Sequence, residues 1–385
     1  MIIIKDTNDL SAFCARHGAT PFITVDTEFM RETTYWPILC LIQVAAPDEA
    51  VIIDPLAPGM DLSPLFDLLL APNIIKVFHA ARQDMEIFYR LMGSLPHPIF
   101  DTQIAAMVCG FGDSVGYENL ISRLTNARID KSSRFTDWSL RPLSERQLSY
   151  ALADVTHLRE AYGKLKAQLE NSGRGSWLDA EMNILTTPTT YEADPYTVFR
   201  RIKVRNPRPR FLGVLRELAA WRELEARKRD LTRNRVLRDD PLVEIAHHTP
   251  KNSEDLARTR GLTAKQAHGE FGKGILDAVQ KGLALPDSAL PRAHEKVDLP
   301  QGIKPTAELL KVLLKTKCEH SGVAQKLIAS SADIDLIAGF GEKADVPALT
   351  GWRAEVFGDD ALKLRRGEIA LAIKDGEIQI TEIGQ

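Results

Sequence analysis

Phe22-Ile-Thr-Val-Asp-Thr-Glu-Phe29 is the stretch on which the reading of this chain turns. It is apolar and β-branched enough to be a buried central strand, yet it carries two carboxylates, Asp26 and Glu28. Side chains on a strand repeat every two residues, so both carboxylates share one face of the sheet. Adjacent carboxylates repel, and burying them unpaired is unfavourable. A divalent cation resolves that conflict. A strand end that reaches solvent is the other reading of a lone Asp-x-Glu pair.

Outward from this run, residues 38–44, 50–54 and 74–78 are short and rich in β-branched side chains, as buried strands are. The connections 30–37 and 45–49 are too short for crossover helices, so the first three strands are expected to form an antiparallel meander. Residues 61–70, 82–92, 101–109 and 145–169 read as helices. The result is a mixed α/β domain over residues 1–190. A linker at 186–210 follows, broken by Pro188, Pro195, Pro207 and Pro209. Beyond it strand signals vanish, and two amphipathic helical units are expected at 208–285 and 303–385, separated by Pro286, Pro291 and Pro300. Val236–Ala246 has an echo in Leu327–Ala338, though the spacing of such echoes is irregular. In the tail, alternation around Asp375-Gly376 predicts a hairpin.

Composition narrows the class. The 385 residues are 44% hydrophobic and 26% charged with a net charge of −3, so no global basic field marks a polyanionic partner. Cys14, Cys40, Cys109 and Cys318 form no C-x-x-C pair, which argues against zinc or a redox dithiol and for reduced thiols in the cytoplasm. Any metal is expected on oxygen ligands. The first residues lack the basic and apolar regions of a signal peptide, and no apolar run approaches a bilayer span.

Two more carboxylates join Asp26 and Glu28. Asp84 opens a helix just after the strand ending at Phe78, which puts it beside the same sheet edge. Asp154 lies on a helix that starts with a capping box, Ser144-Glu-Arg-Gln147. Leu148, Leu152, Val155 and Tyr162 form the predicted core stripe of that helix, with Tyr150, Asp154 and His157 roughly opposite. Tyr150 and Asp154, at i and i+4, are neighbours. His79 reads as a structural hydrogen-bonding residue, and Asp101 as a helix N-terminus rather than a further ligand.

This order of acids, with V-D-T-E-F at 25–29, H-A-A-R-Q-D at 79–84 and Y-A-L-A-D at 150–154, resembles the tyrosine subclass of the DEDD exonuclease superfamily. Ser149 stands where the histidine subclass would need histidine. The stretches at 37–43, 100–104, 130–138 and 141–147 are similar to ribonuclease D in particular. So is the order of parts: a ribonuclease H-like exonuclease fold with a mixed sheet, then two small all-α units similar to the HRDC domain. The second unit's match rests on Thr350-Gly-Trp-Arg353. The resemblance implies hydrolysis of RNA from the 3′ end to 5′-mononucleotides, with precursor tRNA 3′ ends as substrate. A monomer is expected.

Four oxygen ligands suit hard cations, Mg²⁺ or Mn²⁺. Two such ions about 4 Å apart clamp the attacking and leaving oxygens of an in-line displacement. Asp26 would bridge them, with Glu28, Asp84 and Asp154 completing the set. The resemblance gives Tyr150 the task of orienting the attacking water; an unperturbed phenol stays protonated at neutral pH. Phe29 and Met30 either stack on terminal bases or pack in the core. Lys131 and Arg134 either contact phosphate or lie on a solvated loop. The basic residues of 200–238, Arg201, Lys203, Arg205 and Arg229 among them, suit a phosphate backbone, with a solvated linker as the alternative. Chemistry and grip are thus expected to separate along the chain. A DNA exonuclease and a catalytically silent RNA-binding module are the competing functions.

Overall fold

The computed structural model describes residues 1–129, 136–292 and 298–383. Six strands form the main sheet: β1 (Ile2–Ile4), β2 (Phe22–Met30), β3 (Ile38–Ala45), β4 (Ala50–Ile53), β5 (Ile75–Phe78) and β6 (Ile99–Asp101). Their order is β1-β4-β3-β2-β5-β6, which puts the carboxylate strand β2 near the middle. The sheet is mixed: β3 and β4 are antiparallel, whereas β1 with β4, β2 with β5 and β5 with β6 run parallel. β2, β3 and β4 are neighbours in chain order, as the short connections require. The two outer strands, β1 and β6, were not legible in the sequence. Each has three residues, too few for a period of two to show.

Helices α1 (Thr7–His17), α2 (Ser63–Leu70), α3 (Arg82–Met92), α4 (Thr102–Val108), α5 (Tyr117–Thr125), α6 (Glu145–Ser172) and α7 (Asp179–Leu185) accompany this sheet. Helix α6 starts where the sequence says it should. The Ser144 hydroxyl accepts from the Gln147 amide, and the Gln147 side chain accepts from the Ser144 amide, at 3.3 and 3.0 Å. Its buried stripe differs from the predicted one. Ala151, Asp154, Val155, Leu158, Ala161, Tyr162 and Leu165 face inward, so Asp154 lies on the buried side of the helix. Tyr162 packs between Phe22 and Phe100, with ring centroids 4.7 and 4.9 Å away. The Thr24 hydroxyl donates to the Val155 carbonyl at 2.8 Å, tying α6 directly to β2.

The remaining helices are α8 (Pro209–Arg229), α9 (Arg233–Val236), α10 (Asp239–His248), α11 (Ser253–Leu256), α12 (Ala264–His268), α13 (Glu270–Ala284), α14 (Lys304–Ser321), α15 (Gln325–Ile328), α16 (Ser331–Phe340), α17 (Gly351–Arg353) and α18 (Asp359–Arg366). The predicted hairpin closes the chain as β7 (Ile369–Lys374) and β8 (Glu377–Glu382). Asp375 and Gly376 both take positive φ, as a tight two-residue turn demands.

The chain forms two compact units, and their boundaries cut across the order of the sequence. One holds residues 1–28, 40–187 and 297–385; the other holds 29–39 and 188–296. In the first, one core runs from Ala105, Val108, Leu120, Leu165, Leu169 and Leu178 into Leu310, Leu313, Leu327, Ile337 and Phe357. The C-terminal helices therefore complete the apolar face left by α4, α5 and α6. The Ala324 amide donates to the Met107 carbonyl at 2.8 Å, and Gly110 lies so close to Gly322 that a Cβ there would meet its carbonyl oxygen at 2.8 Å. The second unit has its own core, with Leu212, Leu215 and Leu218 of α8 among Leu242, Ile245, Ile275 and Val279.

Candidate active site

β2 pairs with β5 in register only from Phe22 to Thr24, and β5 ends at Phe78. Asp26 and Glu28 thus extend past the end of that partner, where one edge of the strand is open. The inward face of α6 delivers Asp154 to the same place. One carboxylate oxygen from each of Asp26, Glu28 and Asp154 lies within 4.8 Å of the others. Asp84 is buried in the first turn of α3 and accepts from the Thr27 hydroxyl at 2.5 Å. It is outside the three-carboxylate group, although the Asp26 charge reaches it.

The electrostatics of the cluster are those of acids forced together. Burial pushes Asp26 up to about 6, and burial followed by the Asp26 charge pushes Asp154 up to about 8. For the same two causes, in the same order, Asp84 lies well above the usual carboxylate range. Asp154 also has a buried Oδ1 with no hydrogen-bond partner among the described residues. Crowded carboxylates with an orphaned oxygen form a hard, oxygen-only donor set, which fits a divalent cation.

Tyr150 stands one turn before Asp154 on α6. Burial, then the charges of Asp154, Glu28 and Asp26, raise the phenol's pKa, so the hydroxyl stays a donor. Trp138 stands behind it with ring centroids 6.1 Å apart. Arg141 holds that tryptophan in place. Its guanidinium grips Asp54 at 2.7 and 2.8 Å and donates to the Trp138 and Cys40 carbonyls. A cavity of about 460 Å³ opens beside the cluster, lined by Asp26, Glu28, Tyr150 and Asp154 with His79 and Tyr117. His79 Nδ1 is 3.0 Å from the Thr102 hydroxyl, in keeping with a structural role. Asp101 caps α4 and also accepts from the Ala80 and Ala81 amides, which fixes the turn leading to Asp84.

Sequence reading missed Thr27, Tyr117 and the Arg141–Asp54 brace. Tyr117 donates to the Asp154 carbonyl at 2.5 Å and fixes α6 from below. None of these carries a periodic signal, because each acts through bonds to residues far away in sequence. The proposed RNA contacts fare unevenly. Phe29 and Met30 are half-buried at the end of β2. Arg201, Lys203 and Arg205 are exposed, and the first two line a groove with His247 and His248. Arg229 is paired with Glu225 at 2.6 Å. Lys131 and Arg134 lie outside the described residues.

A family model described as 3′-5′ exonuclease matches residues 1–170, and one described as HRDC domain matches 211–279. Ribonuclease D of Gluconacetobacter diazotrophicus is 50% identical over 372 residues, spanning 97% of this chain and 94% of the relative. Ribonuclease D of Nitrobacter hamburgensis is 49% identical, spanning 98% of both. The chain belongs to the ribonuclease D family. The crystal structure of Escherichia coli RNase D, described as an exoribonuclease involved in structured RNA processing, is similar at 33% identity. That match has a TM-score of 0.78 and covers 95% of this chain and 98% of that one. Ribonuclease D membership makes this chain a 3′→5′ exoribonuclease, a hydrolase of phosphodiester bonds. The exonuclease superfamily works with divalent metal ions, which the oxygen cluster suits. Among the described residues no helix is long and apolar enough to cross a membrane.

Proposed function

We propose that the enzyme trims RNA to 5′-mononucleotides, with precursor tRNA 3′ ends among its substrates. In this reading Asp26, Glu28, Asp84 and Asp154 hold two divalent ions, Mg²⁺ or Mn²⁺. The observation that carries the reading is the convergence of three carboxylate oxygens within 4.8 Å at a cavity that Tyr150 also lines. When bound, the ions would supply Lewis-acid activation of water and neutralise charge on the phosphodiester. The chain's own contribution is placement. β2 and α6 fix the carboxylates, Thr27 keeps Asp84 beside them, and the Tyr150 hydroxyl orients the attacking water. Structured RNA processing by the Escherichia coli relative supports the tRNA assignment. We read the protein as cytoplasmic and monomeric; its four cysteines are free thiols, which suits a reducing compartment.

Residues 303–385 are read as a second HRDC-like unit, after an exonuclease domain at 1–190 and an HRDC domain at 208–285. The support is a constant offset. α8 and α14 end at 229 and 321, α9 and α15 begin at 233 and 325, and α10 and α16 begin at 239 and 331, a difference of 92 each time.

Digestion of 5′-labelled RNA and matched DNA with Mg²⁺, Mn²⁺ or EDTA tests the activity. A descending ladder on RNA that EDTA abolishes is expected; an equal ladder on DNA would favour a general exonuclease. Tyr150→Phe should slow the single-turnover step by about 10²-fold, the scale of one positioned proton-bearing group, while metal binding is kept. An unchanged rate at saturating RNA would reduce Tyr150 to packing.

A further inference from the structure

The basic run read as an RNA contact is partly spent inside the protein. Glu223 of α8 is fully buried, and Arg233 grips it from Nε and from a terminal nitrogen, the latter at 2.8 Å, while Arg227 reaches it at 3.2 Å. The fourth member of this group comes from far away in sequence. The Tyr35 hydroxyl donates to Glu223 and accepts from Arg227 and Arg233 at 3.2 and 3.3 Å. One turn on, Asp230 accepts the backbone amides of Tyr35 and Trp36 through a single oxygen, at 3.1 and 2.9 Å. Tyr35 is buried with Ala226 and Val236, and Trp36, Trp221 and Phe271 pack around them.

The loop caught in this way is 31–37, the direct continuation of the carboxylate strand. Residues 29–39 belong to the helical unit, so the chain passes from one unit to the other right after Glu28. Asp26 and Glu28 lie past the end of β5, in the stretch of β2 that runs straight into this loop. A loop held at its turn constrains the strand that runs into it. Outer-shell partners that orient metal ligands do such work in many sites.

We propose that the hold of Asp230, Tyr35 and Glu223 on the 31–37 loop is a positioning device for the metal site, acting along the continuous strand to set the place of Glu28 and Asp26. Asp230, Tyr35 and Glu223 touch neither metal nor substrate in this scheme. The inference rests on the carboxylate reading above, and the test separates the two.

The discriminating variants are Asp230→Gly and Asp230→Asn in the full chain. Asp230 sits at φ +51 as the C-cap of α8, so glycine removes the acceptor without straining the backbone, and asparagine keeps an acceptor oxygen. Mn²⁺ affinity is measured by calorimetry, and single-turnover cleavage is followed on a trinucleotide. Asp230→Gly should weaken Mn²⁺ binding about tenfold and slow the trinucleotide at subsaturating metal, and Asp230→Asn should restore both. Tyr35→Phe, which retains the ring, should weaken Mn²⁺ binding in the same direction with its thermal transition intact. Unchanged Mn²⁺ affinity in folded Asp230→Gly and Tyr35→Phe overturns the positioning role. Failure of the unaltered protein to bind Mn²⁺ overturns the carboxylate reading itself.

Discussion

Asp26→Asn should abolish turnover while making the metal-free protein more stable at alkaline pH. The first half follows from position: Asp26 is common to the three-carboxylate group and to the charge felt by Asp84. Losing roughly 4 kcal/mol of transition-state charge stabilisation is about a thousandfold in rate. The second half follows from the raised pKa values, near 6 for Asp26 and 8 for Asp154 against 3.8 for the unperturbed group. Below about pH 4 these acids are protonated in both folded and unfolded chains. Between that pH and their folded values the native state holds protons that the unfolded state has lost, so stability falls as pH rises. Above about pH 8 the full repulsion is present. The metal-free melting temperature of the natural chain should therefore decline from pH 5 to pH 8, and Mg²⁺ should raise it most at the upper end. Asp26→Asn should flatten the decline and remove most of the Mg²⁺ shift. Near-normal turnover, or an unchanged pH profile of stability, would show that Asp26 is not in the metal site.

How far this site could be read in advance depended on the kind of signal each part carries. Asp26 and Glu28 were legible because period-two geometry is local, and two acids in an apolar run conflict with burial. The start of α6 was legible because a capping box is a four-residue pattern. The face of α6 was misread, since Asp154 looks like an exposed residue until one knows that acids are gathered beneath it. Thr27, Tyr117 and the Arg141–Asp54 brace were out of reach, each depending on contacts across dozens of residues. Arg227 and Arg233 show the opposite failure. Counted as charges they advertise RNA, but Glu223, four and ten residues away, absorbs both. Charge counting sees composition, and only packing shows which charges remain for a partner.

A fragment ending near residue 183 should fail to unfold cooperatively, although it contains every carboxylate of the site. The sequence suggests the reverse, because the acids precede residue 155 and the helical units follow 199. The structure changes the expectation through one core. Val108, Leu120, Leu165, Leu169 and Leu178 are buried against C-terminal side chains that the fragment lacks. Uncovering large apolar side chains costs roughly 1.5–3 kcal/mol each, so a handful of them rivals a domain's whole stability of about 5–15 kcal/mol. Specific links are lost as well. Trp177 stacks on Trp352 at 4.3 Å with the rings 5° from parallel, and Arg353 bridges to Glu181 at 2.7 Å. A chain stopped after Arg292, which keeps α8 to α13, should fare no better, because the missing cover is α14 to α18. Calorimetry and binding of a hydrophobic dye to both truncations provide the check. Trp352→Ala in the full chain should act in the same direction by a few degrees, without loss of cooperativity. A sharp transition near that of the full protein, in either truncation, would mean that the C-terminal helices are a detachable grip. If both lose it, these helices are part of the wall on which α6, and through it Asp154 and Tyr150, is built.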